Sequence, residues 1–357
     1  MRILVIMPNW LGDLVMATPL LELLHRAGRD GGLQLHACVR RRWAPLLMRD
    51  PRLDGLVIYE RTGRHAGWRG VAALAADLRE RNYDAVILGP PSLRMGLVAM
   101  LAHIPSRVGY ATGGRGPLLS LPLSPVRPRG RAHHVDELRR LGLALLETLG
   151  RPAPSASATP SLPGVQGLVS ESVPPGPPLW ILAPGATYGP AKNWPVARLA
   201  EFLELAVGQR QVRLAIVGDT AAVDLVSDLR QRTSALPWRR EMGDSPGVVD
   251  LVGGTTLMDL AALLERAQAF LGNDSGVMHV AAALGVPTLG LFGSSSAAWT
   301  APRGNCAAVL TAEGFPCQPC FRKTCNQAVF CLDTLSGRRV FETLDDLVAN
   351  APKDTPS

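Results

Sequence analysis

Apolar positions along this chain alternate between short β-branched runs and longer amphipathic stretches. The runs predict strands at Ile3–Met7, Leu33–Val39, Gly55–Tyr59, Asp84–Leu88 and Arg107–Tyr110. The stretches between them predict helices, most plainly over Leu14–Leu24, Gly70–Arg81, Ser92–His103 and Val135–Leu149. Thr18-Pro19 suits an N-cap and a first helical position, so the first of these helices starts late or kinks there. From Arg151 to Pro178 the pattern breaks into a Pro-, Ser- and Gly-rich stretch that reads as an interdomain linker, residues 152–178. The alternation then restarts, with strands at Leu179–Ala183, Val212–Val217, Val248–Val252, Ala269–Gly272 and Thr288–Phe292. Helices fit Pro195–Val207, Ala221–Arg232, Leu257–Ala267 and Val277–Leu284. Strand–helix alternation at this spacing means parallel sheet with crossover helices. The expected fold class is α/β: two Rossmann-like, doubly wound domains, residues 1–151 and 179–339, whose strand carboxyl ends face a ligand-binding cleft.

Composition agrees with two cores. The chain has 357 residues, 47% apolar and 19% charged, more than one core ordinarily serves. Its N-terminal apolar run is interrupted by Pro8, Asn9 and Asp13, so a signal peptide is not expected. No segment reaches the roughly 18 uninterrupted apolar residues of a membrane span. A cytoplasmic, reducing location follows, in which six cysteines are expected to stay reduced.

Charge changes the picture. Up to Arg151 there are 22 basic and 12 acidic residues; the remainder has 15 and 18. Ala85–Val135 contains no acid but carries Arg94, Arg107, Arg115, Arg127, Arg129 and Arg131. Such asymmetry concentrates anionic partners, either nucleic acid or a phosphorylated lipid at a membrane surface. No zinc-finger spacing, aromatic RNA-binding motif or basic heptad helix accompanies it, so nucleic acid is the weaker reading.

Three segments could do chemistry. After the first strand, Pro8-Asn9-Trp10-Leu11-Gly12-Asp13 lacks the Gly-x-Gly-x-x-Gly of a dinucleotide fold, which argues against a dehydrogenase. Asp13 could simply favour a helix start, or it could act as a general base at a strand's carboxyl end. Pro184-Gly185-Ala186-Thr187-Tyr188-Gly189-Pro190-Ala191-Lys192 offers small residues that let backbone amides approach a phosphate, with a lysine beside them. That lysine is one of only three in a chain with 34 arginines. Asn273-Asp274-Ser275-Gly276-Val277-Met278-His279 follows a strand and opens a helix whose N-terminus can bind an anion.

Together, and in this order, the three segments resemble the ADP-heptose:lipopolysaccharide heptosyltransferase family, glycosyltransferase family 9, and its heptosyltransferase II branch in particular. The resemblance covers both domains. It implies a GT-B architecture with a C-terminal helix, near Val340–Asn350, crossing back to the first domain within residues 340–357. It implies inverting transfer of L-glycero-D-manno-heptose from ADP-heptose to the lipopolysaccharide inner core, at the inner face of the inner membrane, with no cofactor. Carried over to this sequence, the general base falls on Asp13, and Gly12 admits the diphosphate. Gly185, Thr187, Lys192, Asp274, Ser275, Gly276 and His279 fall on donor-binding positions, and the ribose acid on Asp219 or Asp224. Arg94, with Arg61 and Arg64 after another strand, is expected to meet the anionic acceptor. No Asp-x-Asp occurs, so a metal bridge to the diphosphate is not expected. Cys317, Cys320, Cys325 and Cys331 are dense enough for a structural zinc, but their spacing is not that of a zinc ribbon, and reduced thiols are the competing reading. A different acceptor or nucleotide sugar, or a non-catalytic nucleotide-sugar sensor, would keep the same donor motifs.

Overall fold

The computed structural model describes residues 1–29, 31–167 and 173–352. The chain divides into two compact units, Met1–Val165 and Gln166–Ser357. Parts of the expected linker and tail, residues 168–172 and 353–357, lie outside the described residues.

The first unit runs β1 (Arg2–Ile6), α1 (Leu11–Met16), α2 (Thr18–Ala27), β2 (Gln34–Arg40), β3 (Gly55–Tyr59) and α3 (Gly67–Arg79). It continues with β4 (Ala85–Leu88), α4 (Leu93–Leu101), β5 (Ser106–Tyr110), β6 (Leu121–Leu123) and α5 (His134–Thr148). The sheet order is β3-β2-β1-β4-β5-β6, with every pairing parallel. The strand order therefore reverses between β1 and β4, the position at which open α/β sheets bind ligands beyond the strand ends. Ala17 separates α1 from α2, and Pro19 lies in the first turn of α2, where its missing N–H costs nothing. Apolar faces of α3 and α4 close over the sheet, with Leu74, Leu78 and Val98 packed against Leu4, Val86 and Leu88.

The second unit repeats the plan. It comprises β7 (Leu179–Ala183), α6 (Val196–Gly208), β8 (Arg213–Ile216), α7 (Val223–Arg232), β9 (Trp238–Arg239) and β10 (Gly247–Asp250). Then come α8 (Leu257–Glu265), β11 (Ala269–Asn273), α9 (Gly276–Ala283), β12 (Thr288–Phe292), α10 (Ala297–Thr300), β13 (Ala307–Thr311) and α11 (Gly337–Ala349). Its parallel sheet is ordered β13-β12-β11-β7-β8-β10-β9, reversing between β7 and β11. Here too the ligand position falls beside the first strand of the unit.

Burial fixes the chain at both edges of the second unit. The Pro- and Ser-rich stretch is not free up to Pro178: Leu162 and Val165 are fully buried, and residues up to Val165 fold with the first unit. The cause is a buried Asp50–Arg52 pair at 2.6 Å, whose guanidinium also donates to the Ser161 carbonyl at 3.1 Å. Ser161 N in turn donates to Thr18 Oγ1 at 3.1 Å. The C-terminal helix uses its apolar face within the second unit. Val340, Phe341 and Leu344 of α11 are buried in the core that contains Trp180 and Phe202, with the Phe341 and Trp180 rings 6.1 Å apart.

Candidate active site

In the first unit, Asp13 stands in the opening turn of α1, half-buried, with Gly12 buried before it. An acid in that turn is favoured by the helix dipole whatever its further role. The loop that carries it is fixed on two sides. Gly89 N donates to Ile6 O at 3.0 Å, and a Cβ on Gly89 would stand 2.8 Å from that carbonyl and 3.1 Å from Pro8. Trp43 Nε1 donates to Asn9 O at 3.0 Å. The residues after β1 and after β4 are thus locked together at the switch point.

The basic residues divide unexpectedly. Arg115 is fully buried and donates to the backbone carbonyls of Tyr110, Pro90 and Leu88. Burial alone pushes its guanidinium down to about 10. It braces the β4 and β5 ends and belongs to no basic face. Arg107 likewise donates to the carbonyls of Leu118 and Ile104. Arg127, Arg129 and Arg131 are exposed. Arg94 clasps the start of α3, donating to Gly67 O at 2.8 Å and to His65 O, while its Nε is buried without a protein partner. Arg64 pairs with Asp77 at 2.5 Å and stays largely exposed, as does Arg61.

In the second unit, the residues expected around the donor come together. Lys192, on the short 3-10 turn Pro190–Lys192 after β7, places its Nζ 2.5 Å from Asp274 Oδ2 and 3.2 Å from the Asp274 carbonyl. The pair bridges the two strand ends at the β7/β11 reversal. Asn193 Oδ1 accepts from Ala186 N at 3.0 Å, and Asn273 Nδ2 donates to Pro184 O at 2.5 Å, so the loop containing Gly185 is tied at both ends. Thr187 Oγ1 donates to Asp219 Oδ2 at 3.2 Å, and Asp219 also caps Ala221 N. Asp219, beyond β8, therefore joins this group; Asp224 sits in the first turn of α7.

Ser275 occupies the N-cap of α9 without using its hydroxyl there, and its Oγ is buried with no protein partner. Gly276 opens the helix and His279 is buried one turn further on. Ser294 and Ser295, beyond β12, also have buried Oγ atoms without protein partners. Each such hydroxyl costs about 1–3 kcal/mol unless something bonds it. Ser275 directly follows Asp274, and Ser294 lines a cavity with Ala191, the neighbour of Lys192; buried hydroxyls left open in this way are what phosphate or sugar oxygens can bond. Sequence reasoning did not single out Ser294 and Ser295, although the run Gly293-Ser294-Ser295-Ser296 directly after an apolar strand carried the signal.

Cys317, Cys320, Cys325 and Cys331 line one small cavity together with Ala191, and all four thiols are free. Burial raises the Cys331 thiol above its ordinary range. Among the described residues, no three His, Cys, Asp or Glu side chains are grouped so as to hold a metal ion, and no helix is long and apolar enough to cross a membrane.

Comparison with known proteins gives these residues a family. Residues 71–330 match glycosyltransferase family 9 (heptosyltransferase). The chain is 31% identical over 324 residues to lipopolysaccharide heptosyltransferase 2 of Escherichia coli (strain K12), covering 87% of this chain and 88% of that one. It is 31% identical over 329 residues to lipopolysaccharide heptosyltransferase 2 of Salmonella typhimurium, with the same coverage. Among solved structures, E. coli ADP-heptose lps heptosyltransferase II superposes with a TM-score of 0.70 at 25% identity, covering 98% of this chain and 99% of that one. A family 9 glycosyl transferase from Veillonella parvula reaches 0.77 at 22% identity, covering 98% and 97%, a likeness of fold. With the family matched over most of its length, two doubly wound parallel sheets and relatives of this identity, the chain belongs to glycosyltransferase family 9, the heptosyltransferases, and is a glycosyltransferase of the GT-B fold class.

Proposed function

We propose that this chain transfers L-glycero-D-manno-heptose from ADP-heptose to the inner core of a lipopolysaccharide precursor, with inversion and without a metal, in the manner of heptosyltransferase II. The observation that carries the reading is the Lys192–Asp274 ion pair at the switch point of the second sheet, followed directly by the buried, unpartnered hydroxyl of Ser275. It occurs in a chain that is 31% identical to lipopolysaccharide heptosyltransferase 2.

In the proposed reaction, the acceptor hydroxyl oxygen attacks the anomeric carbon as Asp13 takes its proton. The bond from that carbon to the β-phosphate oxygen breaks, and its electron pair leaves with ADP. Lys192, the Ser275 and Gly276 amides and His279 stabilise the charge developing on the leaving group. General-base help of this kind is worth about 10²–10⁴ in rate. Gly12 and Gly185 keep the backbone clear for the diphosphate, Thr187 binds phosphate, and Asp219, held by Thr187, takes the ribose. With no Asp-x-Asp in the chain, metal bridging has no place in the scheme.

On the acceptor side, Arg61 and Arg64 meet the anionic lipid, and Arg94 sets the turn beside them. Trp68 is 80% exposed and Leu93 52% exposed, at the starts of α3 and α4 that Arg94 clasps together. Exposed apolar groups among arginines suit peripheral contact with the anionic inner face of the inner membrane. Incubation with ADP-heptose and truncated core acceptors, followed by product mass, tests the whole reading. A product one heptose heavier supports it; ADP-heptose binding with no product overturns it.

A further inference from the structure

The cysteine-rich stretch of residues 315–331 has no task in the reaction as described, yet it is fastened to the donor loop. Tyr188 Oη donates to Phe321 O at 2.7 Å, and Ala191 N donates to Lys323 O at 2.9 Å. Phe321 N donates to Ser294 O at 2.7 Å, and Gln318 Nε2 donates to Gly293 O at 2.9 Å. The four cysteines line one cavity with Ala191 and Ser294, residues of the same two loops. At Gly189 the two backbones meet so closely that a Cβ would stand 2.6 Å from Lys323 O.

This fastening brings a second ammonium to the loop. Lys192 Nζ lies 5.1 Å from the centroid of the Tyr188 ring, and Lys323 Nζ lies 5.9 Å from the same centroid. The charge of Lys192 is already compensated by Asp274, 2.5 Å away. Lys323 is exposed, and among the described residues no acid pairs with it. A nucleoside diphosphate carries more negative charge than the Lys192 ammonium, already shared with Asp274, can offset by itself. The uncompensated cation beside it is Lys323, on a four-carbon stem that can swing to a phosphate oxygen.

We infer that Lys323 is a further binding residue for the diphosphate of the nucleotide-sugar donor, delivered to the donor loop by the cysteine-rich segment. The inference rests on the donor site proposed above. The Lys323 backbone carbonyl, and not its side chain, carries the structural bond, so Lys323→Gln removes the charge and leaves the fastening in place. Neighbouring Arg322, whose guanidinium is engaged by Asn326, serves as the control.

The test is calorimetric titration of the full-length protein, Lys323→Gln and Arg322→Gln with ADP and with adenosine, at low and high salt. Lys323→Gln should weaken ADP binding about fivefold at low salt, and the gap should narrow as salt screens the contact. Adenosine affinity and the thermal unfolding midpoint should be unchanged, and Arg322→Gln should bind ADP as the wild type does. Wild-type ADP affinity in Lys323→Gln overturns the inference, as does an equal loss for adenosine, which would mean a deformed loop. A wild-type protein that binds no ADP instead removes the donor site itself, a separate and distinguishable failure.

Discussion

Replacing Lys192 by Met separates two duties that share one ammonium. Its Nζ is held 2.5 Å from Asp274 Oδ2, with the side chains 16% and 9% exposed. Deleting one partner of a fully buried pair costs about 3–5 kcal/mol, because the charge left behind has lost both water and partner. A fully exposed pair is worth about 0–1 kcal/mol. With this residual exposure, the expected cost for Lys192→Met is about 2 kcal/mol, or about 4–8 °C in Tm for a unit of this size. Adding Asp274→Asn removes the stranded carboxylate, so the double variant should regain most of the lost stability. It should not regain ADP affinity. A charge-assisted bond to the diphosphate is worth about 1.5–3 kcal/mol, so ADP should bind about tenfold more weakly, or worse, in both variants. Thermal unfolding and calorimetry of the wild type, both single variants and the double variant close the cycle. Wild-type ADP affinity in the double variant would refute the reasoning, because Lys192 would then serve the ion pair alone.

Three further outcomes are expected. Asp13→Asn should nearly abolish transfer while ADP affinity stays within a few-fold; an equal loss of ADP binding in calorimetry would make Asp13 a donor or structural group. Transfer should survive excess EDTA over minutes, and immediate loss restored by magnesium would contradict the metal-free scheme. Arg94→Ala frees the His65 and Gly67 carbonyls and should raise the acceptor KM several-fold with the donor KM nearly unchanged. Arg94→Lys, which cannot span both carbonyls, should recover only part of the effect.

Central strands such as β4 and β7 were legible because they are continuous apolar runs buried on both faces. The edges were not. β6 is three residues with a central proline, tolerable at the edge of a sheet, and β9 is two residues long. β13, Ala307–Thr311, is only half-buried along its whole length and so lacks the contrast that marks a strand. The stretch before Val165 reads locally as a linker, since what pins it is a buried ion pair more than a hundred residues earlier in the chain. Lys192, Thr187, Asp274 and Ser275 were visible as motifs because small residues and a cation stand directly after strands there, the pattern on which the proposed donor site rests. Arg115 and Arg107 were misleading: a guanidinium satisfied by backbone carbonyls has the same letter in the sequence as one facing water. Lys323 carried no pattern of its own, and only the backbone contact at Gly189 brings it to the loop.

That contact also limits how this enzyme can be re-engineered. Any side chain at position 189 would have to displace the Lys323 carbonyl, which already accepts from Ala191 N. Donor loops exchanged between relatives to alter sugar preference would therefore arrive without the surface they are moulded on. A chimera that moves residues 184–193 alone should fold poorly around the graft, whereas one that moves 315–331 with them keeps both halves of the mould.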